Sequence, residues 1–307
     1  MSAKQVHLIL LVPGWKVSAL HTKFREMLLM ECLRRGVELT VDPEFASGID
    51  LARNISVAKA RMVAARPDNA DRINVLGMID GDVVPKVESV FAVLDAMAQG
   101  LEIVGGLYPK KYVDWTATGK AAREGVPDEE LRYHSGDMVG GAPAGSRRMM
   151  RFGKDRFVDA DWLGTGFMFM RLDALEKFIA FHSWRTLHRS LWEPTGPQHT
   201  VFFSEPQGPR QRARDAMCKM ALRYGKHMAS IDEMLSAVHK YQCAMADDQP
   251  LDVYQTEDFN FVYRAKEAGL GCWMYMDAVL AHQGTFVFEG SMAKRLEHED
   301  KAGKAAE

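Results

Sequence analysis

The sequence predicts an α/β fold: a mainly parallel, twisted, Rossmann-like sheet flanked by helices, with a smaller mixed sheet toward the C-terminal half. Three observations carry this expectation. Strand-like apolar runs alternate with helix-period segments over the first hundred or so residues, the pattern of a parallel sheet wound on both faces. The central run, Val75-Leu76-Gly77-Met78-Ile79, stops at Asp80-Gly81-Asp82, as a buried strand does where it leaves a sheet. The chain has 307 residues, 47% hydrophobic and 26% charged, enough to bury one large core.

Each element follows from its local pattern. Val6 to Val12 is the first strand, ended by Pro13-Gly14. Ser18 to Arg35 carries Leu20, Phe24, Met27, Leu28 and Cys32 at helical spacing, with Gly36 as the stop. Val37 to Val41 reads as the second strand and Asp42 to Gly48 as a loop. Asp50 is expected to cap a helix reaching Ala65, with Arg53 and Asn54 in its first turn. Ile73 to Ile79 is the third strand and delivers Asp80. Pro85 is expected to open a helix whose Val90, Phe91, Leu94 and Met97 face the sheet, with Gly100 closing it. Ile103 to Leu107 is the fourth strand. Residues 109–155 mix Gly, Pro and charge without periodicity, and a loop of that length is usually functional or mobile. Phe157 to Ala160 and Phe167 to Met170 read as strands flanking Trp162-Leu163-Gly164-Thr165-Gly166, and Asp173 to Phe178 as a short helix. Residues 182–250 read as a second long loop holding a polar helix from Arg210 to Tyr224. Thr256 caps a helix from Glu257 to Ala268, stopped by Gly269. Cys272 to Met276 is a strand, and Val279 to Gly284 follows it. No linker divides the chain, so residues 1–292 read as one domain, with 293–307 a charged tail.

Composition excludes some functions. The net charge of −2 does not indicate a dominant nucleic-acid surface. The basic runs Lys110-Lys111, Arg147 to Arg151 and Arg210 to Arg214 read as solvated surface or as local backbone contacts to DNA. Cys32, Cys218, Cys243 and Cys272 are far apart, with neither zinc spacing nor a disulfide framework, which fits a reducing, cytoplasmic setting. The run Val6 to Val12 is too short to cross a bilayer, and no membrane span is expected.

Several residues suggest chemistry. Asp80 and Asp82 lie at the carboxyl end of a strand, the edge where open α/β sheets bind ligands. Two carboxylates one residue apart repel unless a cation or donors sit between them, and Mg²⁺ or Mn²⁺ would answer that need. The same three residues also read as a polar Asp-Gly turn. Glu257 and Asp258 in a first helical turn are favoured by the helix dipole. They diverge by about 100°, so one can hold the loop while the other faces a substrate hydroxyl as general base. The dipole is expected to keep Asp258 ionised. His282, after a strand, is either structural or a third metal ligand beside Asp80 and Asp82. The Gly164-Thr165-Gly166 segment, with Trp162, is either a bend or a place where a sugar approaches the backbone. Arg53 and Asn54 are either exposed helix residues or donors to a diphosphate.

In order, Arg53-Asn54, Asp80-Gly81-Asp82, Gly164-Thr165-Gly166, Glu257-Asp258-Phe259-Asn260-Phe261 and His282-Gln283-Gly284 resemble a GT-A glycosyltransferase of the family 2 type, from about residue 5 to residue 290. The resemblance implies a donor half over 1–108 and an acceptor half over 156–292. It also implies a nucleotide-sugar donor, with a UDP-sugar favoured, a Mn²⁺ or Mg²⁺ cofactor, and inverting transfer of a hexosyl or pentosyl group. By it, Asp82 binds the metal, Asp80 contacts the nucleoside or metal, His282 completes the metal shell, and Asp258 is the base. Pro13, Arg53 and Asn54 fall on the donor side, and Trp162, Gly164, Thr165 and Gly166 on the acceptor side. Val12-Pro13-Gly14-Trp15 lacks the usual small and polar run into the donor site, and 109–155 and 182–250 exceed a minimal member. The resemblance leaves the acceptor open among a polysaccharide, a lipid-linked sugar, a protein and, in a viral setting within the host cytoplasm, a modified DNA base. The competing readings are a nucleotidyltransferase and a catalytically silent nucleotide-sugar-binding module.

Overall fold

The computed structural model describes residues 5–13, 18–44, 49–141, 148–182, 187–189, 197–199, 201–202, 205–207, 209–225, 230–244, 253–284 and 287–292. The expected tail 293–307 and the segment Gly14-Trp15 lie outside the described residues.

The first half follows the expected alternation. β1 (Val6–Pro13) leads to α1 (Ala19–Arg35). Ser18 starts α1 by accepting the His21 amide on its Oγ at 3.0 Å, and Gly36 ends it at φ 67°, which only a residue without Cβ adopts freely. β2 (Glu38–Glu44) runs on through part of the expected loop because its pairing with β1 continues to Pro13↔Glu44. α2 (Ile49–Ala64) begins one residue before Asp50, so Asp50 sits inside its first turn and is not the cap. β3 (Ile73–Ile79) has the expected bounds. Pro85 does not open a helix: it ends β4 (Val83–Pro85), and α3 (Val87–Ala98) starts after Lys86. β5 (Ile103–Gly106) follows.

Residues 109–155 are not one long loop. β6 (Tyr108–Pro109) pairs with β7 (Met138–Val139), and between them lie α4 (Trp115–Arg123) and a 3₁₀ turn, Leu131–His134. Asp114 caps α4, accepting the Ala117 amide at 2.9 Å. β8 (Met149–Phe152) and β9 (Asp155–Asp159) form a hairpin, with Gly153 at φ 62° in its turn. β10 (Phe167–Arg171) and α5 (Leu172–Phe181) come next. The second expected loop holds β11 (Leu187–Arg189), β12 (Pro197–His199), β13 (Glu205–Gln207), α6 (Pro209–Gly225) and α7 (Ile231–Ala244). β14 (Val253–Gln255) pairs with β13 and leads into α8 (Glu257–Glu267). β15 (Cys272–Tyr275), β16 (Leu280–Gln283) and β17 (Val287–Gly290) close the chain.

The main sheet has eight strands in the order β2-β1-β3-β10-β5-β15-β9-β8. β10 is antiparallel to both β3 and β5, and β9 to both β15 and β8, so six strands share one direction and two oppose it. Strand residues alternate between two hydrophobic layers. Leu8, Leu10, Val75 and Ile79 pack toward α1 and α3, while Ile9, Leu11, Leu76 and Met78 pack toward α2, α5 and α8. The smaller sheet, β17-β16-β4, is antiparallel throughout and takes β4 from the N-terminal half. Cys32, Cys218, Cys243 and Cys272 are free thiols. Among the described residues no helix is long and apolar enough to cross a membrane.

Candidate active site

Two strand pairings and a turn assemble the site at the carboxyl end of β3. β10 runs against β3 with Phe167 opposite Ile79, so Gly166 arrives beside Asp80, whose amide donates to the Gly166 carbonyl at 3.2 Å. After Asp80 the chain turns, the Val83 amide donating back to the Asp80 carbonyl at 2.9 Å, and β4 leaves the main sheet. β16 then pairs with β4, His282 opposite Val83, and the Gln283 amide donates to the Asp82 carbonyl at 2.7 Å. His282, two hundred residues downstream of Asp82, is thereby fixed next to it. The start of α1 abuts the same turn, the Ser18 amide donating to the Gly81 carbonyl at 3.2 Å.

The charges form a connected set. Arg53, almost fully buried, is ion-paired with Glu257 and lies 3.6 Å from Asp80 Oδ1. It ties the end of β3 to the first turn of α8. The Asp80 carboxyl is pushed above the usual carboxylate range, first by burial and then by the negative charges of Asp82 and Asp258, with Arg53 and His282 pulling the other way. Asp80 Oδ1 is sealed from solvent, so the 26% exposure of its side chain lies elsewhere on the group. At Asp82, burial favours the neutral acid, but the His282 ring and the Lys111 ammonium outweigh it and hold the carboxyl at about 2. Lys111 Nζ contacts Asp82 Oδ2, and His282 Nε2 stands 3.6 Å from Oδ1.

The orientation of His282 is set by a second contact. Its Nδ1 lies 2.8 Å from the Pro109 carbonyl. A carbonyl only accepts, so Nδ1 carries the hydrogen. Nε2 then faces Asp82: protonated, it is the cation that helps hold the Asp82 carboxyl down, and neutral, it turns its lone pair to the carboxylate across 3.6 Å, wider than a hydrogen bond. That is how a metal-ligating histidine is held by its outer partner. Among the described residues no three His, Cys, Asp or Glu side chains converge into a ready-made cage. Asp82 and His282 are thus the two side chains here that could hold a divalent cation, one through oxygen and one through nitrogen. The ammonium on Asp82 shows that this carboxylate accepts a cation.

Asp258 stands apart from the Arg53 pairing. Its Oδ1 accepts the Thr256 hydroxyl at 2.5 Å and the Phe259 amide at 2.9 Å, and no hydrogen bond reaches its Oδ2 among the described residues. Its carboxyl is raised, first by burial and then by Glu257, against the pull of Thr256, Arg53 and the Phe259 amide. Burial thus works against the helix dipole, which favours the ionised form. Glu257, as Arg53's partner, points elsewhere, as the 100° divergence requires.

Other expected site residues take different places. Asn54 is buried and fully used: its Nδ2 donates to the Asp50 carbonyl at 2.8 Å and the Phe202 carbonyl at 2.6 Å, and its Oδ1 accepts the Val201 and Phe202 amides at 2.7 and 2.9 Å. It anchors a distant segment to α2 and has nothing left for a diphosphate. Arg53 likewise spends its guanidinium on Glu257 and Asp80 instead of presenting a fork outward. Gly164 and Gly166 do permit a close approach, but by Tyr108: a Cβ on Gly164 would lie 2.5 Å from its Oη, and one on Gly166 2.7 Å from its Cζ. Thr165 is fully buried, its Oγ1 without a hydrogen-bond partner among the described residues. Trp162 packs on Phe259 with ring centroids 4.6 Å apart at 62°, bracing the first turn of α8. Pro13 ends β1 at the same sheet edge as Asp80.

Two residues escape the sequence reading. Tyr108 walls the glycine segment and meets the His282 ring edge-on, 5.3 Å away at 88°. Lys111 belongs to a basic pair, and only its position two residues after Pro109 would have pointed to the site.

No family model matches the sequence, and no curated protein matches it. Among solved structures the chain is similar to A197 from STIV, at 13% identity and a TM-score of 0.42, over 91% of this chain and 86% of that one. It is also similar to 4-diphosphocytidyl-2C-methyl-D-erythritol synthase from Anaerococcus prevotii, at 8% identity and a TM-score of 0.29, over 61% of this chain and 79% of that one. At those scores neither likeness adds to the geometry.

Proposed function

We propose that this chain transfers a sugar, hexosyl or pentosyl, from a nucleotide-sugar donor to an acceptor hydroxyl with inversion. The observation that carries the reading is the shared edge: a cation-seeking pair, Asp82 and His282, next to Asp80, and a carboxylate of raised proton affinity, Asp258, whose neighbour Glu257 is tied to Asp80 by Arg53. Asp82 and His282 would hold Mn²⁺ or Mg²⁺, which when bound supplies positive charge to a departing diphosphate.

The chain's own residues do the rest. Asp258 takes the proton of the attacking hydroxyl on Oδ2, and burial makes it a stronger base than an exposed aspartate. As that proton leaves, the acceptor oxygen bonds to C1 of the sugar, the bond from C1 to the diphosphate breaks, and a nucleoside diphosphate departs. Arg53 pairs with Glu257 and offsets part of the charge of Asp80, so that acids of one sign can coexist in a half-buried place. Trp162 and Phe259 keep the α8 turn and its base in position. Tyr112 and Trp115, 42% and 77% exposed just beyond Lys111, offer aromatic faces to an acceptor, a glycan or a DNA base.

The test is product analysis with UDP-sugars and Mn²⁺. A released nucleoside diphosphate supports sugar transfer, pyrophosphate means nucleotidyl transfer, and binding without turnover leaves only a binding module. Activity is expected to vanish in EDTA and in Asp82→Ala, with the fold of the variant intact. Full activity in chelator overturns the cofactor.

A further inference from the structure

The structure holds a cation at Asp82 that the reading above does not use. Lys111 lies on the turn after β6, and its flanks are anchored: the Lys110 amide donates to the Asp137 carbonyl at 2.9 Å, and the Tyr112 hydroxyl to Asp137 Oδ2 at 2.6 Å. Between two fixed neighbours the Lys111 side chain keeps 40% exposure and reaches Asp82 Oδ2. His282 faces the other oxygen, so the carboxylate is shared between an ammonium and an imidazole. The ammonium lowers the repulsion between Asp80 and Asp82, but it stands where a second cation would coordinate, and two cations repel at that range. A lysine is a point charge on a flexible stem, suited to exchanging one anion for another.

We propose that Lys111 is the resident counter-ion of Asp82 in the donor-free protein and a diphosphate ligand in the donor-bound one. It leaves Asp82 when a divalent cation enters and pairs with the diphosphate that arrives with it. This rests on the donor-site reading above and adds an exchange of partners to it. The exchange links metal and donor binding: a metal alone must displace the ammonium into water, whereas metal and diphosphate together give the ammonium a new anion.

The test uses Lys111→Met and two probes that need no acceptor. Mn²⁺ alone is titrated by the electron paramagnetic resonance of the free ion, and inorganic pyrophosphate, a diphosphate without a base, is titrated calorimetrically at saturating Mn²⁺. The variant should bind Mn²⁺ about two- to fivefold tighter, because a half-exposed competing ion pair is gone. It should bind pyrophosphate about tenfold weaker, because a charge-assisted contact is lost. Lys111→Arg should bring pyrophosphate affinity back most of the way. Equal Mn²⁺ affinities, or an unchanged pyrophosphate affinity, would overturn the proposal while leaving the donor site standing. A wild-type protein that binds no Mn²⁺ would overturn both. A Lys111→Met protein that loses affinity for a single-stranded oligothymidylate and keeps it for pyrophosphate would make Lys111 a nucleic-acid contact instead.

Discussion

Gly164→Ala separates packing from substrate contact. A Cβ at Gly164 meets Tyr108 Oη at 2.5 Å, Val139 Cγ1 at 2.5 Å and Tyr108 Cζ at 3.0 Å. Neither neighbour can step aside cheaply. Tyr108 and Val139 are paired across the β6–β7 ribbon, and the Tyr108 ring leans on His282. The Gly166 amide also donates to the Tyr108 hydroxyl at 3.3 Å. Extra volume in so constrained a place costs about 1–3 kcal/mol. Denaturant unfolding should therefore show a lower midpoint with an unchanged slope. Tyr108→Phe removes one of the two closest atoms, so in that background the alanine should cost less, with a coupling of about 0.5 kcal/mol or more. Val139 stays in the way, so relief is partial. Since a displaced Tyr108 presses on His282, Mn²⁺ affinity should weaken with stability. A Gly164→Ala protein of full stability with a raised KM for the sugar alone would refute this reasoning and return Gly164 to the substrate.

Asp258→Asn should slow turnover by about 10²–10⁴ while pyrophosphate affinity stays near wild type. The pH profile carries a second check. The base works ionised, and burial raises its folded-state proton affinity, so activity should be lost as pH falls through a midpoint above the usual carboxylate range, in kcat/KM of the wild type. An acid limb at or below the ordinary value of 3.8 would show that another group is titrating. Asn54→Ala should cost at least about 2 kcal/mol of unfolding free energy, because the Val201 and Phe202 amides lose their acceptor in a buried place. Its pyrophosphate affinity should not change, and a variant of wild-type stability with weakened pyrophosphate binding would make Asn54 a donor ligand after all.

The elements legible in the sequence are those long enough to show a period. β1 and β3 run seven or eight residues and α1 seventeen, and their patterns identify them. α4, β6, β7 and β8 span two to nine residues each, too short for a period, so 109–155 reads as a loop though it is built of elements. The acids were legible because a charge that ends an apolar run stands out; Lys111, inside a polar stretch, did not. The pairing of Arg53 with Glu257 and the roles of Asn54 and Tyr108 depend on residues about 60 to 200 positions away, which no local pattern encodes.

The most consequential feature left no mark at all. Phe167-Met168-Phe169-Met170 is buried on both faces, and such a run reads the same whichever way the strand points. Its direction decides the site. Because β10 runs against β3, its amino end carries Gly164 to Gly166 to the edge where Asp80 emerges. A parallel β10 would leave that segment at the far end of a five-residue strand, roughly 17 Å away at about 3.3 Å per residue. Tyr108 would then have no glycines to fill, and the Tyr108 ring that braces His282 would lose its own support. The reversal of one central strand is thus what lets a mainly parallel sheet bring the glycine segment, and Tyr108 packed on it, to the side of the site where His282 stands.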